Sequence, residues 1–156
     1  MSILQAIRRN HAIEHATVAV LMRKLKPGTR LVGMAGTDGF YVYGQADPET
    51  ISEAASEALA RLKSGEHELA VSPMCGTNLV TTALLAGLGA VMAIKGKNRA
   101  HRLPNVFMAT LAGVLVAQPL GRILQKYLTT SPDVSGFQIA GVSSRGTRHK
   151  IKTLRS

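Results

Sequence analysis

Two histidines and a glutamate near the start of the chain have the types and spacing of a metal site. His11 and His15 are four residues apart, so on a helix their imidazoles project from one face and can reach the same ion. Glu14 stands beside them, at the spacing of a general base or a fourth ligand. We therefore predict a zinc site with His11 and His15 as ligands and Glu14 as the candidate catalytic residue.

The surrounding residues leave two interpretations of this motif open. His-x-x-Glu-His is the pattern of inverted zincins, in which the carboxylate activates a metal-bound water. The alternative is a pair of helix histidines with Glu14 paired to Arg8 or Arg9. The apolar segment 16–22 favours the first interpretation, because it predicts partial burial of His15 and Glu14, and buried polar groups need partners.

Cys75 is the single cysteine, and its thiolate would be a soft third ligand. Two histidines and one cysteine, with a fourth position open to water, form a known catalytic zinc arrangement. The alternative is a small apolar residue packed at the start of a helix. One cysteine excludes both an intrachain disulfide framework and a zinc site made of cysteines alone.

The elements that must position these residues belong to an α+β fold. Residues 1–76 are predicted to form a small polar domain of order α-β-β-α-β, with the histidine motif on its first helix. Capping residues, turn residues and hydrophobic spacing place helices at 2–24 and 47–64 and strands at 29–34, 40–43 and 68–71.

Two uncharged runs follow the polar domain, at 69–94 and 103–121. Residues 78–94 would reach roughly 25 Å as a helix, near the short end for crossing the hydrocarbon core. Small residues every fourth position, which let membrane helices approach closely, occur in both runs: Ala83, Gly87, Ala86 and Ala90 in the first, and Ala109, Gly113 and Ala117 in the second. We predict a two-helix transmembrane or re-entrant hairpin over 77–128, joined by a loop at 95–102. The alternative is a buried helical hairpin of a soluble protein.

The net charge of +10 is concentrated beside these runs. Residues 1–76 balance eight Lys/Arg against eight Asp/Glu, whereas 95–102 and 122–156 contain eleven cations and one acid. Anionic lipid surfaces attract cations placed beside apolar segments. The expected partners are therefore the lipid membrane and other membrane-protein subunits. Nucleic acid is not expected, because the tail 135–156 has only one aromatic, Phe137, for base stacking.

The third predicted segment is a basic C-terminal tail over 129–156, with short strands at 136–142 and 150–154. Of the remaining histidines, His67 is a solvated turn residue or a replacement ligand, and His101 and His149 are expected to face headgroups or water. Residues 1–9 lack an apolar signal segment, which places the polar domain in the cytoplasm. The cationic loop also favours the cytoplasm, so the orientation signals of a multi-pass protein disagree.

The motifs together resemble a known family. His-Ala-Ile-Glu-His over 11–15, followed by Pro-Met-Cys-Gly-Thr-Asn-Leu over 73–79 and an apolar helix, is similar to small bacterial and cyanobacterial membrane proteins classed as domains of unknown function. Segments 118–121 and 127–132 extend the resemblance. Members have His-Pro-x-Cys-Gly-Thr, so Ser72 stands where the pattern has His, which weakens the case for catalysis more than the case for metal binding.

Three function classes follow, in order of preference. The favoured one is a small integral membrane protein in which the motif and Cys75 bind zinc in a non-catalytic assembly or structural role. The second is a membrane-embedded zinc metallohydrolase or metalloprotease in which Glu14 activates water. The third is a soluble basic nucleic-acid-binding protein.

Overall fold

Both ends of the chain contribute to the first of two structural units. The computed structural model describes residues 2–94 and 102–155. The first unit combines the residues up to 72 with those from 126 onward, and the second unit spans 73–125. Together their helices and antiparallel strands confirm the predicted α+β class.

The two helices of the first unit begin where the capping residues predict. Helix α1, Ile3–Lys24, begins after Ser2, whose hydroxyl accepts a hydrogen bond from the Gln5 amide at 3.2 Å. Helix α2, Pro48–Lys63, begins after Asp47, whose carboxylate accepts from the Thr50 amide at 2.9 Å. Each cap fixes the residue at which its helix begins.

Four antiparallel strands form the sheet of the first unit: β1, Val32–Ala35; β2, Gly39–Tyr43; β3, Phe137–Arg145; and β4, Arg148–Arg155. Their order is β1-β2-β4-β3. The strands predicted at 136–142 and 150–154 are confirmed, and β4 pairs directly with β2. The basic C-terminal segment is therefore half of a sheet that begins more than a hundred residues earlier in the chain.

The strand predicted at 68–71 is wrong, because His67–Ala70 is a short 3-10 helix. Its amides bond backward to local carbonyls: Leu69 N donates to Glu66 O at 3.2 Å and Val71 N to Glu68 O at 3.1 Å. Within the sheet, β2 is bonded to β1 and β4, and β4 is bonded to β2 and β3. A further strand could therefore add only at an outer edge.

One face of the sheet packs with both helices around a hydrophobic core. Its largest fully buried members come from α1, β2, α2 and β4: Ile13, Leu21, Phe40, Ile51, Leu62 and Ile151. The expectation that His149 faces headgroups or water is wrong. Its side chain is 2% exposed, with Nδ1 2.7 Å from Ser144 Oγ and Nε2 3.2 Å from Gly44 O. His101 lies outside the described residues.

The second unit is a pair of apolar helices, α3, Gly76–Ile94, and α4, Arg102–Leu124. A π-helical segment, Gln125–Thr129, follows α4. The spans Gly76–Ile94 and Arg102–Thr129 are long enough and apolar enough to cross a membrane. The predicted connecting loop at 95–102 lies, except for Arg102, outside the described residues.

Small residues bring α3 and α4 into backbone contact. A Cβ added to Gly113 would lie 2.6 Å from the carbonyl oxygen of Leu85, and one added to Gly89 would lie 2.6 Å from that of Ala109. Of the two predicted rows on α3, Gly87 of the first makes no such contact, because a Cβ there would meet nothing within 4 Å, whereas the Cβ on Gly113 would also lie 2.9 Å from the backbone nitrogen of Ala86 in the second. At Gly89 and Gly113 the two helices are therefore so close that only glycine fits.

Candidate metal centre

The structure places His11 and His15 one turn apart on α1 with their rings side by side. The ring centroids are 4.3 Å apart and the ring planes are inclined by 59°. His15 is buried, at 4% exposure, and His11 is partly buried. Two imidazoles this close, in a site mostly shielded from water, can present their nitrogens to one ion.

Backbone carbonyls determine which nitrogen each ring presents. His15 Nδ1 is 2.8 Å from the carbonyl oxygen of Ala70, and His11 Nδ1 is 3.0 Å from that of Thr129. A carbonyl can only accept, so Nδ1 is the protonated nitrogen in both rings and Nε2 has the lone pair when the ring is neutral. Proteins orient metal-ligating histidines in this way, with the ring nitrogen that does not bind the metal donating to a carbonyl.

The sequence could not predict these carbonyls, because their positions depend on tertiary structure. Ala70 is the last residue of the 3-10 helix that replaces the predicted strand, and Thr129 ends the segment after α4. Helix α1 holds the histidines, and two chain segments that are remote in sequence orient them.

Glu14 lies on the same side of α1, with Oε2 3.8 Å from His11 Nε2. Its side chain is 6% exposed and lies against the backbone of β1 at Gly33. A Cβ added to Gly33 would be 2.7 Å from Glu14 Cγ and closer still to its carboxylate, so only glycine leaves room for this rotamer. The strand therefore confines the carboxylate beside the histidine pair.

The two arginines offered as alternative partners of Glu14 have contacts of their own. Arg9 forms an ion pair with Asp133 at 2.8 Å. Arg8 donates to the carbonyls of Tyr127 and Thr130 at 2.9 and 3.1 Å. Both arginines thus tie α1 to the segment after α4, the same segment that supplies the carbonyl for His11.

A buried polar pair that the sequence analysis missed fixes α1 on the sheet. Asn10 Nδ2 donates to Gly36 O at 2.8 Å, and Thr153 Oγ1 donates to Asn10 Oδ1 at 2.8 Å. Asn10 is fully buried, and Thr153 is 6% exposed. Because Asn10 immediately precedes His11, these bonds set the rotation of the helix at the site. A polar residue among the apolar positions of α1 is the signal that could have indicated this role.

Cys75 is buried at the start of α3, in the second unit, where the Thr77 amide donates to its sulfur at 3.4 Å. Cys75 as the third ligand beside His11 and His15 remains a prediction, because the histidines belong to the first unit and Cys75 belongs to the second. His67 is exposed on the 3-10 helix, and Ser72 is half-buried.

The second unit has a buried polar pair of its own that the sequence analysis did not identify. Gln125 Nε2 donates to Asn78 Oδ1 at 2.9 Å, and Asn78 Nδ2 donates to Pro73 O at 3.0 Å. Asn78 is part of the Cys-Gly-Thr-Asn segment, so its amide fixes the chain that leads to Cys75. An amide at the entrance of an apolar run is the signal that could have identified it.

Comparison with known proteins confirms the resemblance inferred from the motifs. The family described as a domain of unknown function, DUF6391, matches residues 6–142, a range that includes both histidines, Glu14 and Cys75. An uncharacterised protein of Picosynechococcus sp. is 37% identical over 135 residues, which cover 80% of this chain and 66% of the relative. The chain thus spans about two thirds of that relative's length. No solved structure matches this chain.

Proposed function

This chain belongs to the DUF6391 family, and from its oriented histidine pair and apolar helices we propose that it is a small integral membrane protein with a zinc site. The observation that carries the proposal is that both rings have Nδ1 at a backbone carbonyl, so that both Nε2 atoms are the ligand nitrogens. The ligands are His11, His15 and the thiolate of Cys75, a donor set that suits zinc.

Lipid is proposed as the environment of α3 and α4. Only 11% of each apolar window is buried, and large side chains such as Leu84, Phe107 and Leu115 are 64–68% exposed. Soluble monomers rarely expose contiguous apolar surface of this extent, whereas hydrocarbon covers it without cost. The first unit is proposed to lie in the cytoplasm, and other membrane-protein subunits are its proposed partners.

A non-catalytic role in assembly or structure is the preferred function of the site. A zinc ion there would neutralise the thiolate and hold α1 in place, which stabilises the fold directly. Ser72 stands where the family pattern has histidine, so this chain lacks whatever that histidine contributes in other members. Metal binding and helix positioning require only the two histidines and the cysteine.

One observation favours a second candidate, a membrane-embedded zinc hydrolase or protease. Glu14 is confined with its carboxylate 3.8 Å from His11 Nε2, which is the neighbourhood in which a general base must act. Zinc bound there would lower the pKa of a water molecule, and Glu14 would accept its proton.

Metal content tests the proposed site. The full chain, purified in detergent and dialysed against buffered zinc, should retain about one zinc per chain by plasma mass spectrometry. Cys75→Ser and His15→Ala should each lower the retained zinc at least tenfold, since each removes one of only three protein ligands. His67→Ala is the matched control and should bind as the wild type does. Equal zinc in all four proteins would refute the assigned ligands.

Glu14→Gln distinguishes the two roles because glutamine keeps the shape of glutamate but cannot take up a proton. With a fluorogenic peptide library as the probe, cleavage by the wild type that Glu14→Gln abolishes without zinc loss would establish the enzyme. Absence of cleavage by either protein, together with full zinc content and a changed melting temperature in the variant, is the result expected for the structural role.

Alkaline carbonate extraction of cells expressing the full chain tests membrane insertion separately. The protein should stay in the membrane pellet, as helices spanning hydrocarbon do. Release into the supernatant would contradict the proposed membrane location, whatever the zinc content.

A further inference from the structure

The face of the sheet opposite α1 and α2 combines cations, aromatic rings and exposed apolar side chains. Directly paired residues on antiparallel strands share a face, and the register aligns Met34, Tyr41 and Lys150 in one row and Val32, Tyr43 and Arg148 in the next. We call this surface the basic face, and its members are Val32, Met34, Tyr41, Tyr43, Arg145, Arg148, Lys150 and Lys152.

The Tyr41 ring holds two cations of the basic face in place. The Arg148 guanidinium lies 4.4 Å from the centroid of the Tyr41 ring, and the Lys150 ammonium lies 5.4 Å from it. Lys150 also pairs with Asp38 at 2.6 Å. The cations therefore project from a rigid strand pair, with long side chains that are already partly ordered.

A cavity of about 270 Å³ opens on this face between β2, β3 and β4. Its lining consists of three cations, two serines and a tyrosine, with no acid: Tyr41, Ser143, Ser144, Arg145, Arg148 and Lys150. Cations with hydroxyl donors around a small concave surface are the groups that bind phosphate.

We infer that the basic face binds the phosphate headgroups of anionic phospholipids. This inference rests on the proposed membrane location and adds to it a binding site for a defined lipid class. The exposed Val32 and Met34, at 64% and 53%, stand beside the tyrosines and cations. Apolar side chains, tyrosines and cations on one surface are the composition of a membrane interface.

Single-stranded nucleic acid is the other polyanion that a basic, aromatic sheet face can bind. Base stacking needs an open ring face, however, and the Arg148 guanidinium already covers a face of Tyr41. A lipid phosphate needs only cations and a hydroxyl, and Arg145, Arg148 and Ser143 supply these around the cavity, whereas Lys150 pairs with Asp38 and the Ser144 hydroxyl contacts His149.

Native mass spectrometry of the detergent-purified full chain can test the inference with dioctanoyl phosphatidylglycerol and dioctanoyl phosphatidylcholine as probes. The wild type should bind the anionic lipid more tightly than the zwitterionic one. Arg145→Gln combined with Arg148→Gln should weaken phosphatidylglycerol binding about 30-fold, at roughly fivefold per cation. Lys26→Gln combined with Lys63→Gln removes the same charge elsewhere on the first unit and should leave binding unchanged.

The remaining outcomes each overturn the inference. Equal weakening by both double variants would mean that net charge alone attracts the lipid. No preference for phosphatidylglycerol, in a protein that carbonate extraction shows to be inserted, would refute the basic face while leaving the proposed membrane location intact. Tighter binding of an oligouridine than of phosphatidylglycerol, lost in the Arg145/Arg148 variant, would assign the surface to nucleic acid. Displacement of the lipid by millimolar inorganic phosphate would identify free phosphate as the ligand.

Discussion

Gly33→Ala should displace the carboxylate of Glu14 and so tests whether strand β1 confines it. The added Cβ would lie 2.7 Å from Glu14 Cγ and still closer to the carboxylate, where ordinary contacts begin near 3.4 Å. The backbone of Gly33 gives alanine no conformational strain, because its φ is not positive. The whole effect should therefore come from the clash with one side chain.

The expected cost follows from the geometry. Overpacking by one methyl group in a buried site costs about 1–3 kcal/mol, partly offset by the roughly 0.5–1 kcal/mol that alanine gains over glycine in a strand. In a chain of this length each kcal/mol corresponds to about 2–4 °C in melting temperature. Gly33→Ala should thus lower the melting temperature by several degrees, and in a Glu14→Ala background it should have no effect or raise it.

Circular dichroism melts of the four proteins in detergent and EDTA would measure this double-mutant cycle without any contribution from metal. The two substitutions should couple by the overpacking cost of about 1–3 kcal/mol, above the roughly 0.5 kcal/mol scatter of independent sites. Equal destabilisation by Gly33→Ala with and without the glutamate would refute the proposed confinement.

Two further predictions concern the helix pair and the first unit. Gly113→Leu should separate α3 from α4 and lower the melting temperature, because its Cβ would lie 2.6 Å from the Leu85 carbonyl oxygen. Gly87→Leu is the control and should leave the melting temperature unchanged, because a Cβ at Gly87 meets nothing within 4 Å. The Arg61 guanidinium, which donates to Glu66 at 2.6 Å, holds the pKa of that carboxyl below its ordinary 4.5. The stability from this pair is therefore present above pH 4.5 and lost as the pH falls below it, so melts from pH 7 to 3 should show a shallower acid decline for Glu66→Gln than for the wild type.

Local signals in the sequence were enough to predict most individual elements. Ser2 and Asp47 are capping residues whose side chains bond to amides only three residues away, so the helix starts follow from short-range chemistry. The apolar runs of the second unit are equally local, and they yield both helices and most of the small residues at their contact.

Pairings between distant segments were not predictable in this way. Strand β2 pairs with the distant strand β4 as well as with its neighbour β1, and no residue pattern in β2 or β4 predicts that they pair with each other. His149 illustrates the consequence: its neighbours in sequence are cations, but β4 turns it toward the interior, where Ser144 and Gly44 satisfy its ring nitrogens.

The same distinction between local signals and long-range contacts applies to the candidate site. Spacing alone predicts the adjacent rings of His11 and His15, because a helical turn brings fourth neighbours together. The carbonyls of Ala70 and Thr129 that orient those rings come from segments 55 and 118 residues away in sequence. Their contribution depends on the tertiary fold, which hydrophobic periodicity does not specify.

Zinc-edge X-ray absorption of the detergent-purified full chain tests the proposed metal centre most directly. The spectrum should contain nitrogen neighbours at about 2.0–2.1 Å from His11 and His15 and one sulfur at about 2.3 Å from Cys75. Cys75→Ser should remove the sulfur shell. A wild-type spectrum without sulfur, or a protein that holds no zinc after exposure to it, would contradict the site.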